Sequence, residues 1–344
     1  MSILASKGSR KNPGYPRHNS PPFEKQFQEY AAQAGRICIT TGYVSIDSIL
    51  FLQRSIQEGR LPETDLTIGM YGLEPFTAAQ YSVCRELAEL LRDTGKGVVR
   101  ICTGFKCHGK VYSFYNGGRI QAAIVGSSNL SSLTPDPKQM EIDITVEDES
   151  SLAEIRQIQE AVIDKTIPLL DWEPPYKFRT SGETLETLPG IEVLPADEAE
   201  TSEEETSTCF EIPLPTSPKS SLNACFSKGR QGQPRPWYEA EVIVRKSITS
   251  QEGYPQHREF EVTTDDGYRF VCKTSGDHSK NLRSKGDLTI LGRWIKGRME
   301  DAGVLKPGEV ITLDHLEAYG RTSITLSATR DPDKWLLDFS RPAH

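Results

Sequence analysis

The chain has 344 residues, of which 36% are hydrophobic and 26% charged, and its formal net charge is −8. This length predicts two domains, and the composition is typical of a soluble globular protein. No apolar run approaches the roughly 20 residues that span a bilayer, and the first thirty residues lack the apolar core of a secretory signal. We therefore expect a cytoplasmic protein without a membrane partner.

The acidic excess is concentrated in one segment of the chain. Residues 180–206 contain nine acidic and no basic residues, and they mix Pro, Gly, Ser and Thr without periodicity. Such a composition is typical of a linker. We predict a first domain over residues 1–179, an acidic linker over 180–206 and a second domain over 207–344. The runs 1–23 and 212–238 contain basic but no acidic residues, which makes them candidates for phosphate contact.

The first domain alternates strand and helix patterns. Helices are predicted where apolar residues recur at helical spacing, at 45–59, 77–94 and 151–167, with Ser45 placed to cap the first of them. Strands are predicted between them, at 36–44, 66–72, 97–105 and 139–148. This order of elements predicts an α/β layered domain.

A His-x-Lys triplet precedes a predicted hairpin in this domain. His108 and Lys110 are expected on the same face of a strand, because successive strand side chains alternate faces. Gly117-Gly118 is a favoured two-residue hairpin loop, and its register would set Ser127 opposite His108. Asn129 follows where the chain leaves the second strand.

Imidazole, ammonium and carboxamide groups would thereby converge on one point of the size of an anion. Phosphoryl transfer needs this combination: a nucleophile or proton donor, a fixed cation and neutral hydrogen-bond donors. A second His-x-Lys triplet, His278 and Lys280, is followed by no Gly-Ser-x-Asn segment. We therefore predict no catalytic role for His278.

The order H-G-K, then G-S-S-N, then an acid in KQMEIDI resembles the phospholipase D superfamily. The resemblance implies that His108 is a nucleophile that forms a phosphohistidine. It implies that Lys110 and Asn129 bind the phosphoryl oxygens with help from Ser127, and that Glu141 orients the imidazole.

One position departs from the superfamily pattern. Many members carry an aspartate five residues after the lysine, where this chain has Tyr115. The departure favours the nuclease branch over the lipid enzymes. Superfamily enzymes use two His-x-Lys units, because the leaving oxygen needs a proton from a second group. With one good unit in this chain, a homodimer that pairs two copies of His108 is the simplest completion.

We predict no metal at this site. Nothing in the motif resembles a paired-carboxylate magnesium site, and Lys110 already supplies the positive charge. The seven cysteines are odd in number and show no C-x-x-C pair. A zinc site or a disulfide framework is therefore not expected, and free thiols are.

The second domain is rich in strand patterns. Strands are predicted at 210–215, 238–246, 258–264, 268–274, 309–316 and 322–328. They indicate a small, mainly β barrel with one helix-like stretch. In that stretch the apolar residues Leu291, Trp294 and Ile295 should pack inside the barrel. The basic residues Arg293, Lys296 and Arg298 should stay at the surface. Two loops, 217–238 and 275–286, are rich in Arg, Lys, Asn and Gln, which suit base reading in the major groove.

Segments such as LNACFSKGRQGQPRPWYEA and LTILGRWIKGRM resemble the DNA-binding pseudobarrel that certain restriction enzymes share with plant B-three transcription factors. With the first domain, the chain resembles the BfiI, NgoFVII, NgoAVII and CglI group of restriction endonucleases. In that group two arms grip the major groove, and by position they would be Pro213–Trp237 and Thr264–Lys285. The side chains expected to face DNA are Asn223, Lys228, Arg230, Gln231, Arg235, Asp266, Lys280 and Asn281.

The predicted function is that of a dimeric, metal-independent, type II-like restriction endonuclease acting on double-stranded DNA. Some relatives cut only with a separate helicase-like NTPase, and this sequence has no G-x-x-x-x-G-K-[ST] loop. An ATP- and magnesium-dependent partner would thus be supplied in trans. Two alternatives are a phospholipase-D-type lipid phosphodiesterase and an inactive DNA-binding regulator. The resemblance suggests a short GC-rich recognition site.

Overall fold

The computed structural model describes residues 1–5, 19–134, 140–195, 205–227 and 235–341. The chain divides into two compact units, Met1–Phe178 and Arg179–His344, and each is described by itself. None of the helices in the described part of the chain is both long and apolar enough to cross a membrane.

The first unit alternates strands and helices, as the sequence patterns predict. Its strands are β1 (Ile3–Ala5), β2 (Arg36–Thr41), β3 (Glu63–Ile68), β4 (Val99–Cys102), β5 (Val111–Asn116), β6 (Arg119–Gly126), β7 (Ile142–Val146) and β8 (Thr166–Pro168). Its helices are α1 (Phe23–Ala31), α2 (Ile46–Gln57), α3 (Ala78–Thr94) and α4 (Glu149–Ile163). Short 3-10 helices cover Leu130–Leu133 and Leu169–Asp171.

The strands of this unit form one mixed sheet in the order β1-β7-β6-β5-β2-β3-β4-β8. β2, β3 and β4 are parallel, and β5 joins β2 in the antiparallel sense. β2 is therefore a central strand, and five of its six residues are buried. The carboxyl end of β2 and the start of β5 meet at one edge of the sheet, because neighbouring antiparallel strands run in opposite directions.

Local capping explains where two of these helices begin. Ser45 and Thr77 accept hydrogen bonds from the third backbone N–H of α2 and α3, and Ser48 and Gln80 return the bond. Each pair satisfies helix N–H groups that lack an intrahelical partner. The predicted capping role of Ser45 is confirmed.

The second unit is mainly β. Its strands are β9 (Glu192–Val193), β10 (Glu205–Pro213), β11 (Val242–Ile243), β12 (Glu259–Thr264), β13 (Tyr268–Ser275), β14 (Asn281–Ser284), β15 (Ser323–Thr329) and β16 (Lys334–Asp338). Its helices are α5 (Ser181–Leu185), α6 (Lys246–Thr249), α7 (Thr289–Asp301) and α8 (Leu313–Tyr319). The sheet order is β10-β15-β16-β12-β13-β14-β11, and β9 also pairs with β13.

One predicted strand of the second unit is wrong. Residues 309–316 were expected to be extended, but α8 begins at Leu313. Thr312 caps this helix by accepting a hydrogen bond from the backbone of His315, whose side chain returns the bond. Leu316 and Tyr319 are buried one turn apart. The cap and this spacing outweigh the short apolar run that suggested a strand.

Part of the acidic segment is folded onto the second unit. α5 packs against α7, and Ser181 donates hydrogen bonds from its backbone and hydroxyl to Asp301. β9 pairs with the start of β13. Residues 181–195 therefore belong to the second unit, and residues 196–204 lie outside the described residues.

Candidate active site

The His-x-Lys triplet lies in the extended segment that leads into β5. β5 begins at Val111, so His108 and Lys110 precede the strand instead of lying on it. The carbonyl of Lys110 still accepts a hydrogen bond from the backbone of Gly126 at 3.3 Å. This contact fixes the end of the triplet against β6, while the His108 side chain stays exposed.

The ammonium group of Lys110 lies against the imidazole of His108. Its Nζ is 3.0 Å from both ring nitrogens, and it donates to the His108 carbonyl at 2.7 Å. Lys110 is only 6% exposed. Burial lowers its pKa, and the negative charges of Glu141 and Cys107 act in the opposite direction. Lys110 therefore places a fixed positive charge next to the imidazole of His108, which is a potential nucleophile.

The predicted hairpin register is wrong by one residue. Tyr115 pairs with Ile120 as expected from the Gly-Gly loop, but Phe114 pairs with Ala122. The extra residue, Gln121, forms a β-bulge, and a bulge shifts every later pair. Ser127 is consequently not set opposite His108.

Ser127 is instead bound to the neighbouring strand. Its hydroxyl accepts from the backbone N–H of Ile142 at 2.9 Å and donates to the Ile142 carbonyl at 3.3 Å. Glu141 is the residue before Ile142 and is half-buried. Ser127 therefore holds the backbone beside Glu141.

Asn129 is positioned by the end of β2. Its side-chain oxygen accepts hydrogen bonds from the backbone N–H of Tyr43 at 3.1 Å and from the hydroxyl of Thr41 at 3.3 Å. Thr41 is fully buried and also accepts from the backbone of Leu130 at 3.1 Å. With its oxygen held in this way, Asn129 keeps its amide nitrogen as a donor for a ligand.

Gly42 brings His108 and Asn129 together. A Cβ atom at Gly42 would lie 3.1 Å from Cδ2 of His108 and 3.4 Å from Oδ1 of Asn129. Both side chains thus approach the same point of the backbone at the carboxyl end of β2. Sequence reasoning missed Gly42, Thr41 and Tyr43, although a glycine directly after a buried strand was a usable signal.

An aromatic side chain flanks the imidazole. The Tyr43 ring meets His108 edge-on, with ring centroids 5.7 Å apart. The Tyr43 hydroxyl donates to Glu74 at 2.8 Å, and Glu74 also forms an ion pair with Lys106. These contacts fix the tyrosine, which in turn limits the rotation of His108.

A buried carboxyl group supports the Gly-Ser-Ser-Asn turn from below. Asp143 accepts hydrogen bonds from the backbone and the hydroxyl of Ser128 at 3.0 and 2.6 Å. The Ser128 carbonyl accepts from the hydroxyl of Tyr112. Burial raises the pKa of Asp143, and the bonds from Ser128 oppose that rise. The turn that carries Asn129 is therefore held on both sides.

In the second unit, one residue expected to face DNA is structural. Asn223 is 1% exposed. Its amide nitrogen donates to the carbonyls of Ser217 and Ile311, and its oxygen accepts from the backbone of Ile311 at 2.9 Å. Because it ties two backbone segments together inside the unit, we withdraw Asn223 from the set of DNA-facing residues.

Other members of that set have mixed surroundings. Arg235 is ion-paired with Glu239, and Asp266 accepts hydrogen bonds from Trp294 and Thr264. Lys280 is exposed and lies 3.8 Å from Asp277, and Asn281 begins β14. Three more members, Lys228, Arg230 and Gln231, lie outside the described residues.

The turn before Lys280 has an unusual backbone. His278 and Ser279 have φ values of 57° and 55°, and His257 has a φ of 46°. The Ser279 hydroxyl accepts from the backbone N–H of His257 at 2.8 Å. Left-handed conformations are costly for such residues, and they cluster where a protein binds ligands.

Of the basic residues of α7 that were predicted at the surface, Lys296 is buried, whereas Arg293 and Arg298 are partly exposed. Lys296 is fully buried and donates to the Trp237 carbonyl at 2.5 Å, with its Nζ 4.2 Å from the centre of the Trp237 ring. Arg298 forms two hydrogen bonds to Asp265. Arg293 lies over the ring of Tyr238. The apolar half of the prediction is confirmed, because Leu291, Trp294 and Ile295 are buried.

Two family models match the chain. The model of the NgoFVII restriction endonuclease N-terminal PLD domain matches residues 21–169. The model of the NgoFVII C-terminal B3-like DNA-binding domain matches residues 200–330. The chain belongs to the NgoFVII family of restriction endonucleases.

Membership of the NgoFVII family decides between the predicted functions. The chain is a site-specific nuclease that hydrolyses phosphodiesters, and DNA is its partner. The predicted fold class, an α/β phospholipase-D-like domain followed by a mainly β DNA-binding pseudobarrel, is confirmed. The NgoFVII match, with its DNA-binding domain, disfavours the lipid phosphodiesterase.

Solved structures resemble this NgoFVII-family chain at low identity. Nuc, a phospholipase D family member from Salmonella typhimurium, is 13% identical, with 48% of this chain and 97% of that chain covered and a TM-score of 0.35. NucT from Helicobacter pylori is 8% identical, with 42% and 89% covered and a TM-score of 0.31. Phosphatidylserine synthase from Haemophilus influenzae is 14% identical, with 54% and 42% covered and a TM-score of 0.35. Comparison with individually curated proteins gave no match.

Proposed function

We propose that this nuclease cleaves DNA through a covalent phosphohistidine on His108, at a site completed by a second copy of the chain. The observation that carries the proposal is the contact of the Lys110 ammonium with both ring nitrogens of His108. Asn129 approaches the same point through Gly42. A nucleophile, a cation and a neutral donor are thus grouped together, which is the combination that phosphoryl transfer needs.

Cleavage proceeds in two displacements. An imidazole nitrogen of His108 bonds to phosphorus while the bond to the leaving oxygen breaks, and a second histidine gives that oxygen a proton. Water then attacks the phosphohistidine and gives its proton to the second histidine, and the nitrogen–phosphorus bond breaks. Lys110 and the amide nitrogen of Asn129 bind the non-bridging oxygens in both steps.

Glu141 and Ser127 have supporting roles in this proposal. Glu141 would orient the imidazole, as the family resemblance implies, and its charge already acts on Lys110. Ser127 holds the backbone beside Glu141 through Ile142. Ser127 therefore acts on the phosphate through Glu141 and not by direct contact.

The need for a second histidine supports a homodimer. Besides His108, the first unit has only His18, which lies outside the described residues. An exposed apolar strip also lies along β1 and β7, at one edge of the sheet, and begins on either side of Glu141, with relative exposures from 42% to 81%; it consists of Met1, Ile3, Met140 and Ile142. A second copy that covers this strip would bring its own His108 towards the first. Replacing Ile142 by Lys should then yield monomers in sedimentation and abolish cleavage.

Two further parts of the proposal concern cofactors and partners. Lys110 and Asn129 supply the charge and the donors that a metal would supply, so the nuclease itself needs no metal. A helicase-like NTPase that binds ATP and magnesium, and action in the bacterial cytoplasm, stay predictions from the family resemblance.

Base reading is proposed for the polar turn before β14 and for the basic loop before Trp237. The first contains Lys280 and Asn281 beside the left-handed residues His278 and Ser279. Asn281 also has a buried side-chain oxygen without a hydrogen-bond partner. The second contains Lys228, Arg230, Gln231 and Arg235. Arginine pairs with guanine and asparagine or glutamine with adenine in the major groove.

The test is cleavage of plasmid DNA in excess EDTA by the wild type, His108→Ala and His278→Asn. Asparagine is the control substitution because it tolerates the left-handed backbone of position 278. We expect His108→Ala to lose cleavage by about 10⁴-fold or more while it still binds specific DNA. His278→Asn should still cleave. Equal residual cleavage in the two variants, or basal cleavage that EDTA abolishes, would contradict the proposal.

A further inference from the structure

The loop between β4 and His108 begins and ends with a cysteine. Cys102 is the last residue of β4 and is fully buried, whereas Cys107 directly precedes His108 and is half-exposed. The two thiols thus bracket the loop whose end carries the proposed nucleophile.

Both cysteines lie against the same short segment after β3, residues 69–72. A Cβ atom at Gly72 would lie 1.6 Å from the Cys102 carbonyl oxygen, and one at Gly69 would lie 2.8 Å from Cβ of Cys107. The backbone N–H of Cys107 also donates to the Gly69 carbonyl at 3.0 Å. Only glycine permits these approaches, and together they bring the two ends of the loop next to each other.

The two cysteines lie close together, because Cys102 directly follows the strand pair Ile101–Ile68 and Cys107 is bound through its backbone N–H to Gly69, the residue after Ile68. Hydrogen bonding by the Cys102 thiol lowers the pKa of Cys107. The backbone N–H of Gly109 and the charge of Lys110 lower it further, while burial opposes them. The pKa of Cys102 is raised by the same hydrogen bond and by burial. One thiol of the pair is therefore suited to react and the other to stay protonated.

The remaining cysteines have different surroundings. Cys38, Cys84 and Cys272 are buried, and burial raises their pKa values. Cys209 is exposed on β10 in the second unit. Cys209 therefore serves as a control for the effect of solvent exposure alone on the reactivity of a thiol.

We propose that Cys102 and Cys107 form a thiol pair that hydroperoxides oxidise reversibly, and that this oxidation switches the nuclease off. The Cys107 thiolate attacks the peroxide, takes one oxygen and becomes a sulfenic acid while an alcohol or water leaves. The Cys102 thiol then attacks that sulfur, a disulfide forms, and the sulfenic hydroxyl leaves as water with the proton of the Cys102 thiol. The peroxide is reduced by two electrons and the two thiols are oxidised by two.

The effect on cleavage follows from the position of the pair. A disulfide would pull Cys107 towards the end of β4 and away from its present contact with Gly109. His108 would move with it, because it is the next residue and its side chain has a tight fit against Gly42. The inhibition rests on the proposed role of His108, whereas formation of the disulfide does not.

The experiment uses the full chain treated with hydrogen peroxide, then blocked with an alkylating reagent and digested for mass spectrometry. Cleavage of plasmid DNA is measured on the same samples before and after dithiothreitol. Variants are Cys107→Ser, Cys102→Ser and, as the matched control, Cys209→Ser. Alkylation of the reduced wild type at about pH 6.5, well below the ordinary thiol pKa of about 8.5, compares Cys107 with Cys209 without any variant.

We expect a peptide linked through Cys102 and Cys107, a loss of cleavage of about tenfold or more, and recovery with dithiothreitol. Cys107→Ser should keep cleaving in peroxide, and Cys209→Ser should behave as the wild type. In the reduced wild type Cys107 should alkylate faster than Cys209. Equal alkylation rates of Cys107 and Cys209, together with the absence of the linked peptide, would contradict a reactive thiol pair. A linked peptide with unchanged cleavage would contradict the proposed inhibition by oxidation. If the linked peptide forms but reduced His108→Ala cleaves normally, the proposed function fails and the thiol pair stands.

Discussion

Lys110 in the first unit and Lys296 in the second are both buried, but their ammonium groups have different neighbours. Lys110 contacts an exposed imidazole that belongs to no folding core. Lys296 donates to the Trp237 carbonyl under the ring of that residue, and buried Glu300 lies in the same cluster, accepting from Trp237 and Tyr238. Burial of a lysine therefore does not mark a catalytic site. The neighbouring groups decide, and a free path to solvent for one of them is the distinguishing feature.

The two lysines also differ in how the free-energy cost of burying their charge is offset. A buried charge is costly unless its partners offset the loss of water. The second unit meets this cost with a closed set of donors and acceptors around Lys296, which also fixes the end of the basic loop at Trp237. The first unit leaves Lys110 beside an imidazole that is exposed to solvent and therefore accessible to a substrate. Replacing Lys110 should therefore mainly reduce catalysis, whereas replacing Lys296 should mainly reduce folding stability.

Among the changes that test this comparison, the largest effect should come from replacing each lysine by methionine, which keeps the length of the side chain. Lys110→Met should lose cleavage by about 10³-fold with little change in thermal stability, because a cation that binds the phosphoryl oxygens is lost. Lys296→Met should lower stability by about 2 kcal/mol, because the Trp237 carbonyl loses a charged donor. Plasmid cleavage and calorimetry on both variants measure this. If the two variants lost cleavage and stability to the same extent, the contrast between Lys110 and Lys296 would be wrong.

A smaller effect is expected at Thr41, which positions Asn129 without touching DNA. Thr41→Val removes the hydroxyl that binds the side-chain oxygen of Asn129 and the backbone of Leu130. We expect kcat to fall by about tenfold, with KM for DNA little changed, because the amide donor is misplaced and not lost. Thr41→Ser keeps the hydroxyl and should keep most of the activity. If the valine and serine variants have the same kcat, Thr41 has no positioning role.

The smallest effect concerns the pH dependence of the Lys296 cluster. Burial raises the pKa of Glu300 to about 7, against hydrogen bonds from Trp237 and Tyr238. Its raised pKa contributes stability that is fully present below the ordinary glutamate pKa and is lost as the pH rises through about 7. The loss is about 3 kcal/mol at most, since one pKa unit corresponds to about 1.4 kcal/mol.

Calorimetry of the wild type from about pH 5 to 8 should therefore show a falling unfolding temperature. Glu300→Gln should flatten this slope, and the exposed Glu317 of α8 offers Glu317→Gln as a control that leaves it unchanged. An identical slope in the wild type and Glu300→Gln would show that Glu300 does not titrate in this range.

Much of the first unit could be predicted because its signals are local. The caps Ser45 and Thr77, the buried strand β2 and the helical spacing of α3 are all visible in short windows of sequence. The triplet and the Gly-Ser-Ser-Asn segment likewise predicted that His108, Lys110 and Asn129 meet, but they misplaced Ser127. The bulge at Gln121 was not predictable, because no glycine or proline marks it in the sequence.

The second unit was harder to predict because its polar residues are used in tertiary contacts. Asn223 and Lys296 have side chains typical of a surface, yet both are buried and bind backbone carbonyls from distant segments. No local pattern distinguishes such residues from DNA-binding ones. The strand prediction for residues 309–316 was wrong for a different, local reason, since a cap at Thr312 outweighed a short apolar run.

The central claim is that His108 bonds to phosphorus, and the stereochemical course of cleavage tests it most directly. A DNA substrate with one chiral phosphorothioate of known configuration at the cleaved bond is hydrolysed in ¹⁸O-labelled water, and the configuration of the product is determined. Each in-line displacement inverts phosphorus, so two displacements through a phosphohistidine predict overall retention. Inversion would show a single attack by water and would contradict the account.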